Sequence, residues 1–211
     1  MAHRLGLLLS QLAKGSPQRC ELQYRGDISQ KDTKLLSSSF AAGLLENALE
    51  EDVNIVNAEV LMRERGIELN EECCGEKGAF NSLMTATMVS SEGTQRVAGT
   101  LFGNNMPRLV QVGEQRLEAY LDGILLVFTH NDVPGIIGHI GTLLGSHNVN
   151  IAQMAVGRAH TTPGGAAVGV LNLDNTPPAA AIKELLSAKD ILSVDVVTLP
   201  SAGKLPDWLV S

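Results

Sequence analysis

The sequence predicts an α+β protein in two domains, residues 1–122 and 123–199, followed by a tail over 200–211. Three observations carry that expectation. Between residues 123 and 199, short apolar runs and helical stripes alternate in the order strand, helix, strand, strand, helix, strand. The first part of the chain instead runs from helical spacing into strands separated by hairpin turns. Asp122-Gly123, a turn pair between the two patterns, is the natural boundary.

In residues 2–14, Leu5, Leu8, Leu9 and Leu12 share one helical face, and Gly15-Ser16-Pro17 stops the helix. Leu22, Tyr24 and Ile28 punctuate a polar, strand-like segment. Residues 32–49 read as a second helix with a broad stripe of Leu35, Leu36, Phe40, Leu44, Leu45 and Leu49. A third helix ends at Arg63-Glu64-Arg65-Gly66, where basic residues suit the negative end of the dipole and Gly66 suits the left-handed cap. Strands take over from Ile67. Glu68, Glu71, Glu72, Glu76 and Lys77 surround Cys73 and Cys74 as a solvated edge. Residues 82–89 and 95–102 flank Ser91-Glu92-Gly93-Thr94 as a hairpin, and residues 108–112 form a further strand after the turn at 103–107.

In the second domain, Ile124, Leu125, Leu126, Val127 and Phe128 have the length of a buried strand. Asp132-Val133-Pro134-Gly135 then announces a helix, with Asp132 as its expected cap. That helix, residues 134–146, buries Ile136, Ile137, Ile140, Leu143 and Leu144 on one stripe. Gly135, Gly138, Gly141 and Gly145 form a second row, which costs about 1 kcal/mol for each interior glycine relative to alanine. Close approach to another element is the expected offset. The apolar phase of residues 148–158 changes between Ile151 and Met154, so one strand with a bulge is expected there. Gly164-Gly165 turns into a strand over 166–173, Pro177-Pro178 opens a helix with Ile182, Leu185 and Leu186 inward, and residues 191–199 close as the last strand. The order βαββαβ is the ferredoxin-like pattern, with both helices on one face of a four-stranded sheet. Trp208 is expected in a loosely packed terminus.

Composition narrows the function classes. Of 211 residues, 44% are hydrophobic and 18% charged, which suits a globular protein with a full core. A net charge of −7 without a basic cluster argues against nucleic acid or an anionic membrane as partner. The three cysteines lack metal-ligand spacing and suit a reducing compartment, with no disulfide expected. The apolar run at residues 5–9 is shorter than a signal-peptide core, so a cytoplasmic location is expected.

The motifs of common catalysts are missing: no G-x-G-x-x-G, no G-x-S-x-G, no H-E-x-x-H and no C-x-x-C. No catalytic residue is therefore assigned and no catalysis is expected of this polypeptide alone. No set of carboxylates or thiolates accompanies His130, His139, His147 and His160 at metal-ligand spacing, so no metal site is expected. His130 differs by position, since it ends a strand just before a helix N-terminus, where backbone N–H groups and the dipole favour a carboxylate. An exposed loop histidine beside an ordinary capping Asp132 is the alternative.

Asp132-x-Pro134-Gly135, the run Ile140-Gly141-Thr142-Leu143-Leu144-Gly145 and Val149-Asn150-Ile151 resemble the ACT domain, a module that binds amino acids and regulates enzymes. Residues 1–122 resemble the intervening domain of long D-3-phosphoglycerate dehydrogenases, through Asp32-Thr33, Gly43-Leu44-Leu45, the run 53–58, Glu64-Arg65-Gly66-Ile67 and the run 97–103. Nearly the whole chain is thereby covered.

The resemblance implies a regulatory part that binds L-serine or another amino acid at an interface between two ACT domains of a homo-oligomer. It implies effector contacts from His130, Asp132 and Asn150, with main-chain groups near Val133, Gly135 and Ile151. Many family members carry Asn where this chain has Asp132. A second anion site would use Arg108, although Gln115 and Tyr120 stand where basic residues occur elsewhere in the family. No cofactor is expected in this chain; NAD belongs to the dehydrogenase catalytic domains implied for the full-length enzyme. In such enzymes residues like 2–14 follow the substrate-binding region, so a truncated gene product or an excised piece is expected. A free-standing amino-acid-sensing subunit, or the regulatory part of a bacterial L-serine dehydratase, is the rival reading.

Overall fold

The structure, a computed structural model, describes residues 1–49, 52–103, 105–159, 164–206 and 208. Helix α1 (Ala2–Leu12) is buried on all sides, with residues 2–9 and Leu12 inside, as its nearly continuous apolar composition requires. Strand β1 (Pro17–Gly26) sends Cys20, Leu22 and Tyr24 to the core. A 3-10 turn (Asp27–Gln30) leads to α2 (Lys34–Leu45), shorter than the expected 32–49.

Helix α2 crosses α1 through glycines. A Cβ on Gly6 would collide with the Phe40 carbonyl oxygen, and one on Gly43 with that of His3. The crossing falls on Phe40, Gly43 and Leu44 of α2, and Leu35, expected inside, is 66% exposed. Helix α3 (Ala58–Glu64) ends as expected: Gly66 has φ +70, its N–H bonds the Arg63 carbonyl at 3.0 Å, and the Ile67 N–H bonds that of Met62 at 2.9 Å.

Strand β2 (Glu68–Cys74) pairs parallel to β1 as a polar, mostly exposed edge. Cys73 and Cys74 are free thiols, and burial pushes the Cys20 thiol up to about 12. Strands β3 (Ser82–Ser90), β4 (Gly93–Phe102), β5 (Met106–Val112) and β6 (Gln115–Tyr120) follow as an antiparallel meander. Asn104, within the expected turn, lies outside the described residues.

The remaining elements are β7 (Ile124–Asn131), α4 (Ile136–Ser146), β8 (Ile151–Arg158), β9 (Ala166–Leu173), α5 (Ala179–Ser187) and β10 (Ile191–Thr198), in the expected βαββαβ order. The expected bulge in β8 is present as a register shift between Ile151 and Gln153. In α5, Ala181 and Leu185 take the buried line, and Leu186 is 49% exposed rather than inside.

All ten strands form one sheet in the order β10-β7-β9-β8-β6-β5-β4-β3-β1-β2. One apolar core lies against α1 and α2 and runs on into Leu125, Val127, Val170, Val197 and Leu199; a second lies between the β7–β10 half-sheet and α4 and α5. The β6–β8 seam has one registered backbone pair, Arg116 with Arg158, beside a tight approach of Gly157 to the Arg116 carbonyl. Side-chain amides supplement it: Gln153 bonds the Tyr120 N–H and the Glu118 carbonyl, and Asn172 the carbonyls of Tyr120 and Asp122.

Arg4 ties the chain's ends together. Its guanidinium donates to the carbonyls of Leu121, Pro200, Ser201 and Lys204. Trp208, expected in a loose terminus, packs against the larger core and meets the His3 ring edge-on at 5.7 Å. His3 lies 2.5 Å from a Glu46 carboxylate oxygen, yet burial lowers its pKa from 6.5, with Arg4 acting in the same direction and Glu46 opposing. A folded-state pKa below the unfolded one gives stability that is full above the unfolded value and lost as pH falls through the folded one. Trp208 is the one tryptophan of the chain, so its emission should move to the red as pH falls below the ordinary histidine value and through the lowered one of His3. The His3→Gln variant should remove that dependence; unchanged emission in the native protein would rule the coupling out.

Candidate effector site

His130, Asp132, Val133 and Gly135 lie where β7 hands over to α4. Alternation along β7 sets Leu126, Phe128 and His130 on the side that α4 and α5 cover, so the His130 ring is buried at 1% exposure instead of standing in the loop. It is tilted against the Phe128 ring at 5.4 Å. Its Nδ1–H donates to the Asn131 carbonyl at 2.8 Å, which leaves Nε2 as a buried acceptor without a partner among the described residues.

Asp132 does not cap the helix. Helix α4 starts at Ile136 after Gly135, whose φ of +91 only glycine adopts readily, and no side chain caps it. Among the described residues nothing beyond its chain neighbours lies within 4 Å of a Cβ built on Gly135, and Val133 is 39% exposed, so none of them closes over the first-turn N–H groups. The Asp132 carboxylate instead faces Arg158, with Oδ2 at 2.8 Å from Nε and Oδ1 at 2.9 Å from Nη2. It also accepts the Gly164 N–H at 3.0 Å. That N–H and the guanidinium hold its pKa below the usual carboxylate range.

Asn150 and Ile151 are at the opposite end of the half-sheet. Asn150 is exposed and donates through Nδ2 to Asp174 at 2.6 Å, and Ile151 is half-buried at the start of β8. Since Arg158 ends β8 and holds Asp132, the two groups of expected effector contacts stand about 25 Å apart along one chain at the rise of a strand.

The glycine row meets nothing among the described residues: a Cβ on Gly138, Gly141 or Gly145 has no neighbour within 4 Å there. Helix α5 lies beside the flank of α4 that carries His139, Thr142 and Ser146, and the glycines, opposite the buried stripe, face outward. In β8, Met154 and Val156, on the helix side of the sheet, are each 42% exposed.

Arg108 is more enclosed than a free surface charge, with a side chain 13% exposed. Its guanidinium lies 4.3 Å over the Tyr120 ring and 5.5 Å over that of Phe102, with Glu118 at 3.7 Å. Tyr120 thus supplies a stacking surface. His147 bonds Glu184 at 2.9 Å, and His160 lies outside the described residues. Among the described residues no three His, Cys, Asp or Glu side chains are grouped to hold a metal, and no helix is long and apolar enough to cross a membrane. The sequence reading passed over Arg158; an unpaired basic residue closing a strand beside a turn was the available signal.

The profile of the D-3-phosphoglycerate dehydrogenase intervening domain matches residues 1–113, and that of the ACT domain matches residues 124–190. D-3-phosphoglycerate dehydrogenase of Bacillus subtilis is 30% identical over 200 residues, 95% of this chain and 38% of the relative. That of Methanocaldococcus jannaschii is 33% identical over 199 residues, 94% and 37% respectively. That of a Synechocystis species is 34% identical over 200 residues, 94% and 36%. The chain spans a little over a third of the length of these relatives.

Proposed function

Because this chain belongs to the D-3-phosphoglycerate dehydrogenase intervening-domain family and carries an ACT domain, we propose that it is an amino-acid-responsive regulatory unit. It binds L-serine between the ACT domains of two copies and, joined to NAD-dependent catalytic domains, inhibits phosphoglycerate oxidation.

One observation carries the reading: the expected contacts lie at opposite ends of β8, too far apart for one small ligand. Two copies related by a two-fold axis beside β8 would bring Asn150 of one to Asp132 of the other. Strand β6 takes the edge of β8, so the partner approaches over the open face of Met154, Val156 and the glycine flank of α4. The open first turn of α4 offers N–H groups to the ligand carboxylate, and Asp132 and Asn150 offer oxygen acceptors to its ammonium group. A ligand that binds one arrangement of the pair more tightly shifts the population toward it, and through the shared core the shift reaches α1.

Calorimetric titration with a panel of amino acids tests this. L-serine should give heat, and Asn150→Ala should abolish it. An unchanged isotherm in that variant would reject the site.

A further inference from the structure

The ion pair at Asp132 has unequal halves. Asp132 is 13% exposed and anchored, its carboxylate by the Gly164 N–H and its own N–H to the Gly165 carbonyl at 2.9 Å. Arg158 is 47% exposed and has no hydrogen-bonding partner besides Asp132 among the described residues. The guanidinium is the exposed half of the pair, so it is the half that can swing away to a ligand while the carboxylate stays in place. Directly across the β6–β8 seam stands Arg116, exposed and without an ion pair among the described residues. Like charges facing each other on neighbouring strands repel. Arg116 thus puts a second basic residue at the seam, opposite the one that holds Asp132.

Resting on the function proposed above, we infer that Arg158, with Arg116 behind it, joins the first-turn N–H groups of α4 in receiving the carboxylate of the amino acid whose ammonium group binds Asp132. The internal ion pair holds the place of a zwitterion. On binding, the ligand ammonium replaces the guanidinium at Asp132, and the ligand carboxylate replaces Asp132 at the guanidinium. Both Asp132 and Arg158 remain paired throughout the exchange. The ligand class is an α-amino acid with both groups free; an amine or an acid alone satisfies one side and strands the other.

The test compares L-serine with L-serinamide, whose carboxylate is a neutral amide, by calorimetry on the full chain near pH 6, where both carry an ammonium group. The unmodified protein should prefer serine by about tenfold or more, as a charge-assisted pair implies. In Arg158→Gln the serine Kd should rise by about that factor while serinamide binds as before, and Arg158→Lys should recover part of the loss. Arg116→Gln should weaken serine by a smaller factor. Serine binding as tight as or tighter than normal in Arg158→Gln would make Arg158 a mere cover for Asp132 and overturn the inference. No heat from any amino acid with the unmodified protein overturns the function and this inference together, whereas an effect of Asn150→Ala without one of Arg158→Gln overturns this inference alone. Thermal melts of the variants should match the parent, because both arginines are exposed.

Discussion

Replacing Gly43 by Ala should destabilise the protein by roughly 2–3 kcal/mol, although alanine is the better helix former. The added Cβ meets the His3 carbonyl oxygen and comes within 3.1 Å of the Leu7 nitrogen, all rigid backbone, so α1 and α2 must separate. A shift of about 1 Å restores contact distance and loosens Leu8, Leu9, Phe40 and Leu44, each almost wholly buried. Gly141→Ala is the matching control: its Cβ meets nothing, and the substitution should stabilise the single chain by about 0.5–1 kcal/mol. The same change adds a methyl to the flank proposed to dock on a second copy and should weaken that pairing. Urea unfolding of both variants, with sedimentation for the second, gives the answer. Equal stability of Gly43→Ala and the parent would mean that the two helices do not cross as described.

Arg4→Met should cost about 3 kcal/mol. Methionine keeps the apolar stem but removes the donors from the carbonyls of Leu121, Pro200, Ser201 and Lys204. Ser201 and Lys204 are exposed and can turn to water; Leu121 is buried and cannot. Arg4→Lys should restore less than half of the loss, because one ammonium on a single stem does not reach four carbonyls at the fork's spacing. Amide exchange should locate the damage at residues 199–206 and at the junction near Asp122, leaving α4 and α5 protected as before. Uniform loss across the chain would place the effect on global stability and not on the clamp.

Much of the second domain was legible in residue order. The βαββαβ succession, the buried stripe of Ile136, Ile140, Leu143 and Leu144, and the phase break in β8 all stand in the structure. Each rests on periodicity or on Gly and Pro punctuation within a dozen residues. The glycines were the opposite case. Those at 138, 141 and 145, expected to lie close to another element, a ligand or a partner, meet nothing among the described residues, whereas Gly6, Gly43, Gly157 and Gly169 are among those that make tight contacts within the chain. A missing side chain records that something comes near without recording what.

The candidate site divides along the same line. Residue types near the start of α4 and the loop before β8 were enough to name His130, Asp132 and Asn150 as ligand chemistry. Their geometry was not readable: the strand parity that buries His130, the pairing of Asp132 with Arg158 instead of the helix end, and the separation of Asn150 from both. Local elements follow from short-range sterics and polarity, which neighbouring residues encode together. Partners 26 residues apart, or across a seam such as Arg116 and Arg158, are chosen by how the sheet stacks on its helices, and that depends on the summed burial of the whole chain.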